Sequence, residues 1–395
     1  MQKRLLFVMT TLRAGGIATS LCNLLQELDK DKKISVDLLL FHPDANDIED
    51  LPLSVNLMAA NSLADLIAIS QKESWEKGVH LWLTRYLLGG LTKVCGDTLP
   101  YKLIFASNRK YSGYDWAISC TQSAPPNSLY GGCNEFVLHN VLSKQKAAFI
   151  HCDYVAYGLN NRHNHHIYKR FDRIAVVSQS VKDIFLSAEP GLAGKTTVVR
   201  NCHNQKKILT LAGNEPLAYR KDILNIVTVA RLSEEKGHFR ALEALSVLKN
   251  DGHSFLWHIV GGGTRSFENK LKAQIRVLGL EGYVQMYGNQ SNPYRYMTNA
   301  DLLLVPSFHE AAPMVFGEAQ LLGLPILTTA TVSAVEMVAG SGTGFVCENS
   351  TGGLIKGLKG VFENRESLTA VKKRQLFTRR YDNSSALNEF YRLID

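Results

Sequence analysis

The sequence lacks closely spaced cysteine pairs. Its 395 residues include seven cysteines, an odd number, which are widely scattered and never form a Cys-x-x-Cys pattern. Neither a disulfide framework nor a zinc knuckle is therefore indicated, and a reducing, cytoplasmic compartment is favoured. At roughly 150 residues per domain, the length predicts two to three domains, each able to bury its own core.

Uninterrupted apolar runs of membrane-spanning length are also missing. The two charge-free stretches, residues 116–134 and 319–335, contain proline and many hydroxyl or amide side chains. The apolar run at residues 5–12 follows two basic residues, but no small-residue cleavage site follows it. It therefore predicts a first β-strand rather than a signal peptide, and we expect no transmembrane helix.

Acidic residues are outnumbered by basic ones. The chain has 44 Lys and Arg against 36 Asp and Glu, a formal net charge of +8. This balance favours anionic partners, which include phosphates, nucleic acid and an acidic membrane face. Because no nucleic-acid recognition motif accompanies the charge, nucleic acid is not an expected partner.

Short apolar runs alternate with helical patterns along both halves of the chain, which is typical of a doubly wound α/β fold. In the first half, strands are predicted at residues 4–9, 36–41, 115–119, 147–150 and 173–177. In the second half, strands are predicted at residues 223–229, 255–260, 284–287, 302–305 and 326–329, and helices at 234–248 and 267–278.

A polar stretch at residues 206–222 has no strong apolar period and is predicted to be a linker. Residues 1–205 then form an N-terminal Rossmann-like domain, and residues 223–375 form a second α/β domain. The final residues, 376–395, are basic and then mildly helical, and we expect them to pack back on the first domain.

The most informative stretch is residues 308–319, FHEAAPMVFGEA. Pro313 suits the first turn of a helix that ends at Gly323. Amides at the start of that helix stabilise an anion through hydrogen bonds and the helix dipole, so a phosphate suits the position. The amides in question belong to Ala312, Met314 and Val315.

Two carboxylates flank this predicted helix start. Glu310 lies just before the helix, and Glu318 lies one to two turns inside it. Both are suitable acceptors for sugar hydroxyls. On the spacing alone, an equally weighted alternative is that Glu310 complements the helix dipole while Glu318 is a solvated helix residue.

A second candidate is the loop at residues 229–237, VARLSEEKG, between a predicted strand and a predicted helix. Ligands of open α/β sheets bind outside the carboxyl ends of the strands, so Arg231 and Lys236 are candidates to converge on a diphosphate. Taken alone, the loop favours the alternative of an exposed basic segment in which Ser233 caps the helix.

Two glycine loops follow predicted strands, Gly15-Gly16 and residues 261–263. Glycine there allows either close approach of the backbone to a ligand or simply a tight turn. Neither loop matches the dinucleotide-binding fingerprint, and no acidic residue stands at the end of a following strand. A dehydrogenase is therefore disfavoured.

Two histidine features are less specific. His151 directly follows the predicted strand at 147–150, which places an imidazole at a carboxyl end; taken alone, a structural histidine is the favoured interpretation. The cluster of His163, His165 and His166 lacks acidic or cysteine residues at ligand spacing, so we predict a polar loop rather than a metal site.

Residues 82–93 mix apolar, aromatic and basic side chains around a predicted helix. That composition is typical of an interfacial membrane contact. Core packing is nevertheless the favoured interpretation, because such stripes are usually buried.

Together these segments closely resemble the retaining nucleotide-sugar glycosyltransferases of family 4, also called glycosyl transferases group 1. That family has the GT-B architecture, an α/β fold of two facing Rossmann-like domains with an interdomain cleft. The resemblance extends along nearly the whole chain and is strongest at residues 226–348. The residues that carry it are Gly15, Gly16, His151, Val177, Ser178, Asn201, Arg231, Lys236, Glu310 and Glu318.

The resemblance implies that the first domain binds the acceptor and the second binds the nucleotide sugar. Arg231 and Lys236 would bind the donor diphosphate. Glu318 would bind the ribose hydroxyls, and Glu310 the transferred sugar near its reacting face. Further substrate contacts are implied for Gly15, Gly16 and His151, for Asn289 beside the base, and for the phosphate cradle of Ala312, Pro313, Met314 and Val315.

The sequence departs from the family pattern at two points. Ala311 stands where the family usually has a glycine after the first glutamate, and residues 202–204 read Cys-His-Asn instead of the common form. Both departures bear on the choice of donor, not on the class of reaction.

The resemblance implies transfer of a hexose or N-acetylhexosamine, with retention and without a metal ion or cofactor. The expected donor is a UDP-sugar, with GDP-mannose as the alternative. The expected acceptor is a saccharide or a lipid-linked sugar in the synthesis of bacterial capsule, O-antigen or lipopolysaccharide. We therefore expect a cytoplasmic protein with peripheral contact to an anionic membrane. Two alternatives stay open: a nucleotide-sugar epimerase of the same architecture, and a non-catalytic nucleotide-sugar-binding partner subunit.

Overall fold

The computed structural model describes residues 2–13, 15–44, 51–96, 98–125, 127–377 and 382–395. The described chain divides into two compact units. The first comprises the residues up to Cys202 together with Asn383–Asp395, and the second comprises His203–Asp382. Each unit is built on one parallel β-sheet with helices, as the alternating pattern predicts.

The first unit contains a seven-stranded sheet in the order β3-β2-β1-β4-β5-β6-β7. Its strands are β1 (Lys3–Met9), β2 (Ile34–Leu40), β3 (Asn56–Ala59), β4 (Tyr111–Ser119), β5 (Val141–Ile150), β6 (Arg173–Val176) and β7 (Thr196–Val198). Its helices before Cys202 are α1 (Gly16–Leu28), α2 (Ser62–Asp65), α3 (Gln71–Lys77), α4 (Val79–Cys95), α5 (Thr98–Ala106), α6 (Cys133–Asn140), α7 (Arg162–Lys169) and α8 (Gln179–Ala188).

The second unit contains a six-stranded sheet in the order β10-β9-β8-β11-β12-β13. Its strands are β8 (Leu224–Val229), β9 (Phe255–Val260), β10 (Val284–Gly288), β11 (Leu302–Val305), β12 (Ile326–Thr329) and β13 (Gly344–Cys347). Its α-helices are α9 (Gln205–Gly213), α10 (His238–Asn250), α11 (Arg265–Val277), α12 (Tyr294–Met297), α13 (Met314–Leu322), α14 (Thr351–Glu363) and α15 (Arg365–Phe377).

The central strands explain the continuous apolar runs in the sequence. Leu5, Leu6, Phe7 and Val8 of β1 are all fully buried, although their side chains alternate between the two faces of the sheet. A parallel sheet covered by helices on both faces requires apolar residues at every position. Loops at the carboxyl ends of such strands are where polar side chains become available for binding.

The C-terminal helix, α16 (Ser384–Ile394), belongs to the first unit. Phe390 stacks on Phe7 of β1 with ring centroids 6.0 Å apart, and Lys3 donates a hydrogen bond to the carbonyl of Ile394. The preceding helix, α15, is part of the second unit and ends at Phe377, so the chain returns to the first unit after residue 382.

The predicted linker at residues 206–222 is helical over its first half. Helix α9 occupies this segment and buries Ile208 and Ala212 in a core cluster of the second unit, which begins at His203. The N-terminal segment of the first unit accordingly extends to Cys202, whereas the predicted boundary is residue 205. Sequence inspection missed α9 because two buried side chains in nine residues give a weak helical period.

Two other local predictions are wrong. The histidine cluster at 163–166 is not in a loop but in helix α7, whose first turn Asn161 caps. The stripe at residues 82–93 does form a helix, but it is not packed into the core: Thr92 is the buried residue of α4. Among the described residues, no helix is both long enough and apolar enough to cross a membrane.

Candidate functional site

Two candidate residues of the second unit are in direct contact. Lys236 ends a 3-10 turn (Glu234–Lys236) after β8, and Glu310 follows the neighbouring strand β11. The Lys236 Nζ lies 2.7 Å from the Glu310 Oε1, with the two side chains 21% and 10% exposed. An ion pair this sheltered is screened less by salt than a surface pair. Because an ammonium group has three donors, Lys236 can hold Glu310 and an anionic ligand at the same time.

The loop that carries Glu310 is fixed by neighbouring polar groups. The Ser307 hydroxyl donates to the same Glu310 oxygen at 2.6 Å. The buried Arg240 guanidinium donates to the carbonyls of Pro306 at 2.7 Å and Ser307 at 2.5 Å, and it lies 3.8 Å above the Phe308 ring. Arg240 therefore ties α10 to the segment leading into Glu310.

Helix α13 begins and ends close to where the sequence predicts. Pro313 directly precedes its first residue, Met314, and so stands one position before the first turn. Gly323 ends the helix in the left-handed conformation, with φ of 68°. The carbonyls of α13 cannot accept from the first-turn amides of Met314 and Val315, because these amides lie at the N-terminal end of the helix, where an anion is favoured.

His203, from the segment that departs from the family pattern, packs on this helix start. Its Nε2 donates to the Met314 carbonyl at 3.1 Å, and the side chain is buried. A Cβ atom added to Gly317 would lie 2.3 Å from the His203 Nε2, so glycine at 317 is needed for this close approach.

Glu318 lies on α13 with a buried side chain, not a solvated one. Tyr294 donates to its Oε1 at 3.3 Å. Burial raises the pKa of Glu318 to about 7, because the charged form loses its hydration, while the Tyr294 hydroxyl opposes this rise. A buried carboxyl near its titration point is typical of a functional site.

We expect Glu318→Gln to change the pH dependence of stability. Folded protein keeps a proton on Glu318 that the unfolded chain releases above its ordinary pKa of 4.5, so the free energy of unfolding falls as pH rises from about 4.5 to 7. The variant lacks this fall. Its stability relative to the parent should rise by up to about 3 kcal/mol across that window, as denaturant unfolding at several pH values will measure.

Comparing the parent and Glu318→Gln at each pH separates the effect of Glu318 on stability from the effects of other buried groups. Burial lowers the pKa of His151 and His258 to about 4, so the stability they contribute is lost as pH falls from 6.5 to 4, a slope of opposite sign. Both histidines are present in parent and variant and cancel. A difference between the two proteins that stays constant from pH 4.5 to 8 would contradict the assignment.

Arg231 does not share the Glu310 contact of Lys236. Its side chain is 74% exposed, and its Nη2 lies 3.6 Å from the Glu235 Oε1. Burial raises the pKa of Glu235. The Ser233 hydroxyl and the charges of Arg231 and Lys236 together lower it by more, so the pKa lies below its ordinary value. The two cations thus flank one carboxylate on the same loop.

The triple-glycine loop packs against protein backbone. Gly261 has φ of 142°, and a Cβ there would lie 1.9 Å from the carbonyl oxygen of Ala230. A Cβ on Gly262 would lie 3.3 Å from the Cβ of Asn289, which is exposed after β10. The loop therefore holds the carboxyl ends of β8, β9 and β10 together, which brings the Arg231 loop near Asn289.

The remaining candidates lie in the first unit. Gly15 and Gly16 are exposed at the start of α1, and among the described residues a Cβ on Gly15 would have the Arg13 carbonyl oxygen within 4 Å, at 3.9 Å. His151 follows β5 and stacks on Phe149 with ring centroids 5.5 Å apart. Burial lowers the pKa of His151, so its imidazole is neutral at pH 7 and can donate and accept a hydrogen bond. It lines a cavity with Ile17, Ser20, Leu21, Phe149 and Asn201.

Ser307, Arg240 and Tyr294 are site residues that sequence inspection missed. Ser307 stands three residues before Glu310, but nothing in its neighbourhood marks it as a partner. Tyr294 and Arg240 lie 24 and 67 residues from the groups they contact. Within the described ranges, no group of three or more His, Cys, Asp or Glu side chains has a geometry that holds a metal ion.

Comparison with known proteins points to one family. Residues 215–375 match the family model described as "Glycosyl transferases group 1". The chain is 31% identical over 169 residues to the uncharacterized glycosyltransferase MJ1059 of Methanocaldococcus jannaschii. This match covers 42% of the chain and 41% of MJ1059. The chain is also 30% identical over 164 residues to the amylovoran biosynthesis glycosyltransferase AmsK of Erwinia amylovora, which covers 38% of the chain and 40% of that protein. The matches thus span about two fifths of these relatives' length.

The fold is similar to that of solved glycosyltransferases over almost the whole chain. The crystal structure of Anabaena Alr3699/HepE in complex with UDP and glucose superposes with a TM-score of 0.68 at 17% identity, covering 99% of each chain. The sequence match lies in the second unit, and the structural match extends to both. Residues 215–375 are therefore similar to the glycosyl transferases group 1 family, and the chain has the two-sheet α/β fold called GT-B.

Proposed function

We propose that the protein is a retaining glycosyltransferase that transfers a hexose or N-acetylhexosamine from a nucleotide sugar to a saccharide or lipid-linked acceptor. Its role would be in the synthesis of a surface polysaccharide, in the cytoplasm. The observation that carries the proposal is the sheltered Lys236–Glu310 pair, which lies in the segment that matches the model of glycosyl transferases group 1. AmsK, a relative named for amylovoran biosynthesis, supports the polysaccharide assignment.

The donor is proposed to be a UDP-sugar, since HepE, a neighbour of the same fold, is described with UDP and glucose. Arg231, Lys236 and the first-turn amides of α13 would hold the diphosphate. Glu318 would accept from the ribose hydroxyls, and Asn289 would lie beside the base. Glu310 would face the transferred sugar, while Gly15, Gly16 and His151 would contact the sugar or phosphate from the first unit.

The proposed chemistry is a front-face displacement. The bond between the anomeric carbon and the diphosphate oxygen breaks, and the acceptor oxygen bonds to the same face of that carbon. The departing diphosphate oxygen takes the acceptor's hydroxyl proton. Negative charge accumulates on the diphosphate, so cations and helix amides fixed around it lower the barrier. In this mechanism Lys236, Arg231 and the amides of α13 supply the charge stabilisation, and no metal ion is required.

Thermal unfolding with UDP, GDP, ADP and NAD in parallel tests the nucleotide site. We expect UDP to raise the melting temperature, because a ligand that binds only folded protein at 100 times its Kd stabilises by about 2.7 kcal/mol. Glu318→Ala should abolish the shift and Arg231→Ala should reduce it. Arg220→Ala, at a similarly exposed arginine paired with Asp222, is the matched control and should leave the shift unchanged.

Other outcomes separate the alternatives. A shift with NAD alone would overturn the proposal in favour of a dehydrogenase, and no shift with any nucleotide would favour a non-catalytic role. A UDP shift accompanied by conversion of the free donor to its epimer would favour the epimerase. For a transferase, NMR of the product should show that the new linkage has the anomeric configuration of the donor.

A further inference from the structure

Helix α4 turns an apolar face outward. The helix has 17 residues, about 25 Å of length, and Thr92 is its buried residue. Its most exposed apolar side chains have exposed fractions of 48% to 84%. They are Val79, Leu83, Tyr86, Leu87 and Val94.

These side chains form one stripe. At 100° per residue the five positions fall within an arc of about 100°, with Gly90 inside the same arc. Thr92 lies on the opposite side of the helix, toward the protein. An ordinary surface helix has the reverse arrangement, with apolar residues inward and polar residues outward. Scattered exposed apolar residues are normal, but a continuous stripe indicates an interaction surface.

Neighbouring elements extend this surface. Trp75 of α3 is 54% exposed and packs edge-on against Trp82 of α4, and Trp82 stacks on Tyr86 with ring centroids 5.7 Å apart. On α5, Leu99 and Leu103 are also exposed. Trp and Tyr are enriched where a protein meets the boundary between lipid and water. We call the exposed side chains of α3, α4 and α5 the α4 surface.

The sequence around the α4 surface has a net positive charge, although Glu73 and Glu76 lie on α3. The sequence from 77 to 96 contains no Asp or Glu, and Lys93 borders the stripe on α4. Residues 71–110, which include α3, α4 and α5, contain seven Lys or Arg against three Asp or Glu, a net charge of +4, which is half of the chain's +8 in 40 residues. Each cation near an anionic lipid surface favours binding, an effect that salt weakens.

We propose that the α4 surface docks on an anionic lipid bilayer, with α4 lying in the interfacial plane and its apolar stripe among the headgroups and upper acyl chains. The stripe supplies apolar area, the aromatic cluster suits the headgroup level, and the flanking cations match anionic lipid. A second copy of the chain is a poorer occupant, because it would bring the same positive charge to the contact. The inference goes beyond the proposed sugar transfer and does not depend on it.

Sedimentation with vesicles tests the docking. Full-length protein is mixed at low salt with vesicles of phosphatidylglycerol and phosphatidylethanolamine, or of phosphatidylcholine alone. We expect most of the protein to sediment with the anionic vesicles, at least five-fold less with phosphatidylcholine, and release from the anionic vesicles at high salt. Equal sedimentation with both compositions, or none with either, would overturn the proposal.

Substitutions locate the contact. Leu83→Gln together with Leu87→Gln should reduce binding to anionic vesicles at least five-fold. Val277→Gln, at a valine that is 78% exposed on α11, should leave binding unchanged. Lys93→Gln should reduce binding, while Lys373→Gln, an exposed lysine on α15, should have a smaller effect for the same change in net charge. If the control variants lose as much binding as the α4 variants, the α4 surface is not the docking site.

One variant should bind more strongly. A Cβ on Gly90 would meet no atom of the described residues within 4 Å, so Gly90→Leu is expected to add apolar area to the centre of the stripe. We expect it to sediment with vesicles at several-fold lower lipid concentration than the parent. An unchanged or weaker association would contradict the proposed orientation of α4.

Two further measurements distinguish the remaining outcomes. Sedimentation velocity without lipid detects oligomers of the protein. If the protein does not bind vesicles but forms a dimer, and if Leu83→Gln with Leu87→Gln dissociates that dimer, the α4 surface is a protein–protein contact instead. The UDP-dependent thermal shift should be the same in parent and α4 variants. If an α4 variant loses vesicle binding but keeps the UDP-dependent shift, the substitution has affected the α4 surface alone. If the parent shows no UDP-dependent shift, the proposed function is contradicted while the docking proposal is unaffected.

Discussion

Lys236→Met is expected to lower kcat/KM for the proposed sugar transfer by about 10³-fold or more. Removing one preorganised group that stabilises developing charge typically costs 10²- to 10³-fold. Here the substitution also leaves the sheltered Glu310 carboxylate, which is 10% exposed, with the neutral Ser307 hydroxyl in place of a cation. Initial rates with a UDP-sugar donor, across donor concentrations, will measure the effect on kcat and KM separately.

The matched control is Lys359→Met. In the same unit, the Lys359 Nζ lies 2.7 Å from a carboxylate oxygen of Asp251. Neither residue lies on a loop that carries a candidate site residue. We expect the activity of Lys359→Met to be near that of the parent. Glu310→Gln should also lower kcat strongly, and a double variant with Lys236→Met should lose less than the product of the two single effects, because the residues act as a pair. Activity of Lys236→Met within a few-fold of the parent would remove it from the mechanism.

Among the proposed substitutions, we expect Gly261→Ala to cause the largest loss in the free energy of unfolding. With φ of 142°, the residue occupies backbone space that L-residues rarely adopt, and the new Cβ would lie 1.9 Å from the Ala230 carbonyl oxygen. Backbone strain and overpacking each cost about 1–3 kcal/mol, so the second unit should lose about 4 kcal/mol of its free energy of unfolding. Urea unfolding followed by circular dichroism will measure the loss.

The effect should also reach the site. The amide of Gly261 donates to the Gly288 carbonyl at 2.8 Å, and the Ala230 amide donates to the Val260 carbonyl at 3.0 Å, so displacing this loop separates the Arg231 loop from Asn289. Gly360→Ala is the control: a Cβ on this helical glycine would have no atom of the described residues within 4 Å, and alanine there should preserve or raise stability. Equal stability of the two variants would show that the loop tolerates a side chain.

Most of the fold could be predicted because its central strands are marked by local pattern. Continuous apolar runs such as residues 4–9 and 302–305 coincide with β1 and β11, which helices cover on both faces. The strands missed, β3, β7 and β13, have three or four residues and lie at the edges of the two sheets. An edge strand is partly exposed and short, so its apolar run is too weak to recognise.

The limits of helix α13 at the candidate site could also be predicted from local sequence. Pro313 and Gly323 mark the limits of α13 because their backbone preferences act locally, whatever surrounds them. By contrast, the helix predicted at 234–248 begins only at His238, after a 3-10 turn that places Lys236. That turn depends on Gly237, whose Cβ position is filled by the carbonyl of Pro306 from a distant part of the chain.

Local sequence patterns predict the alternating α/β order, the central strands, the limits of α13 and the candidate carboxylates and cations. Long-range packing brings Lys236 to Glu310, buries Glu318 beside Tyr294 and leaves the apolar side chains of α4 exposed, and none of these features could be predicted from local pattern. The two kinds of feature differ in the sequence separation of the residues that produce them. Helix and strand patterns arise from neighbours a few residues apart, whereas these contacts and exposures depend on the order of strands in the sheet and on what packs beside each face.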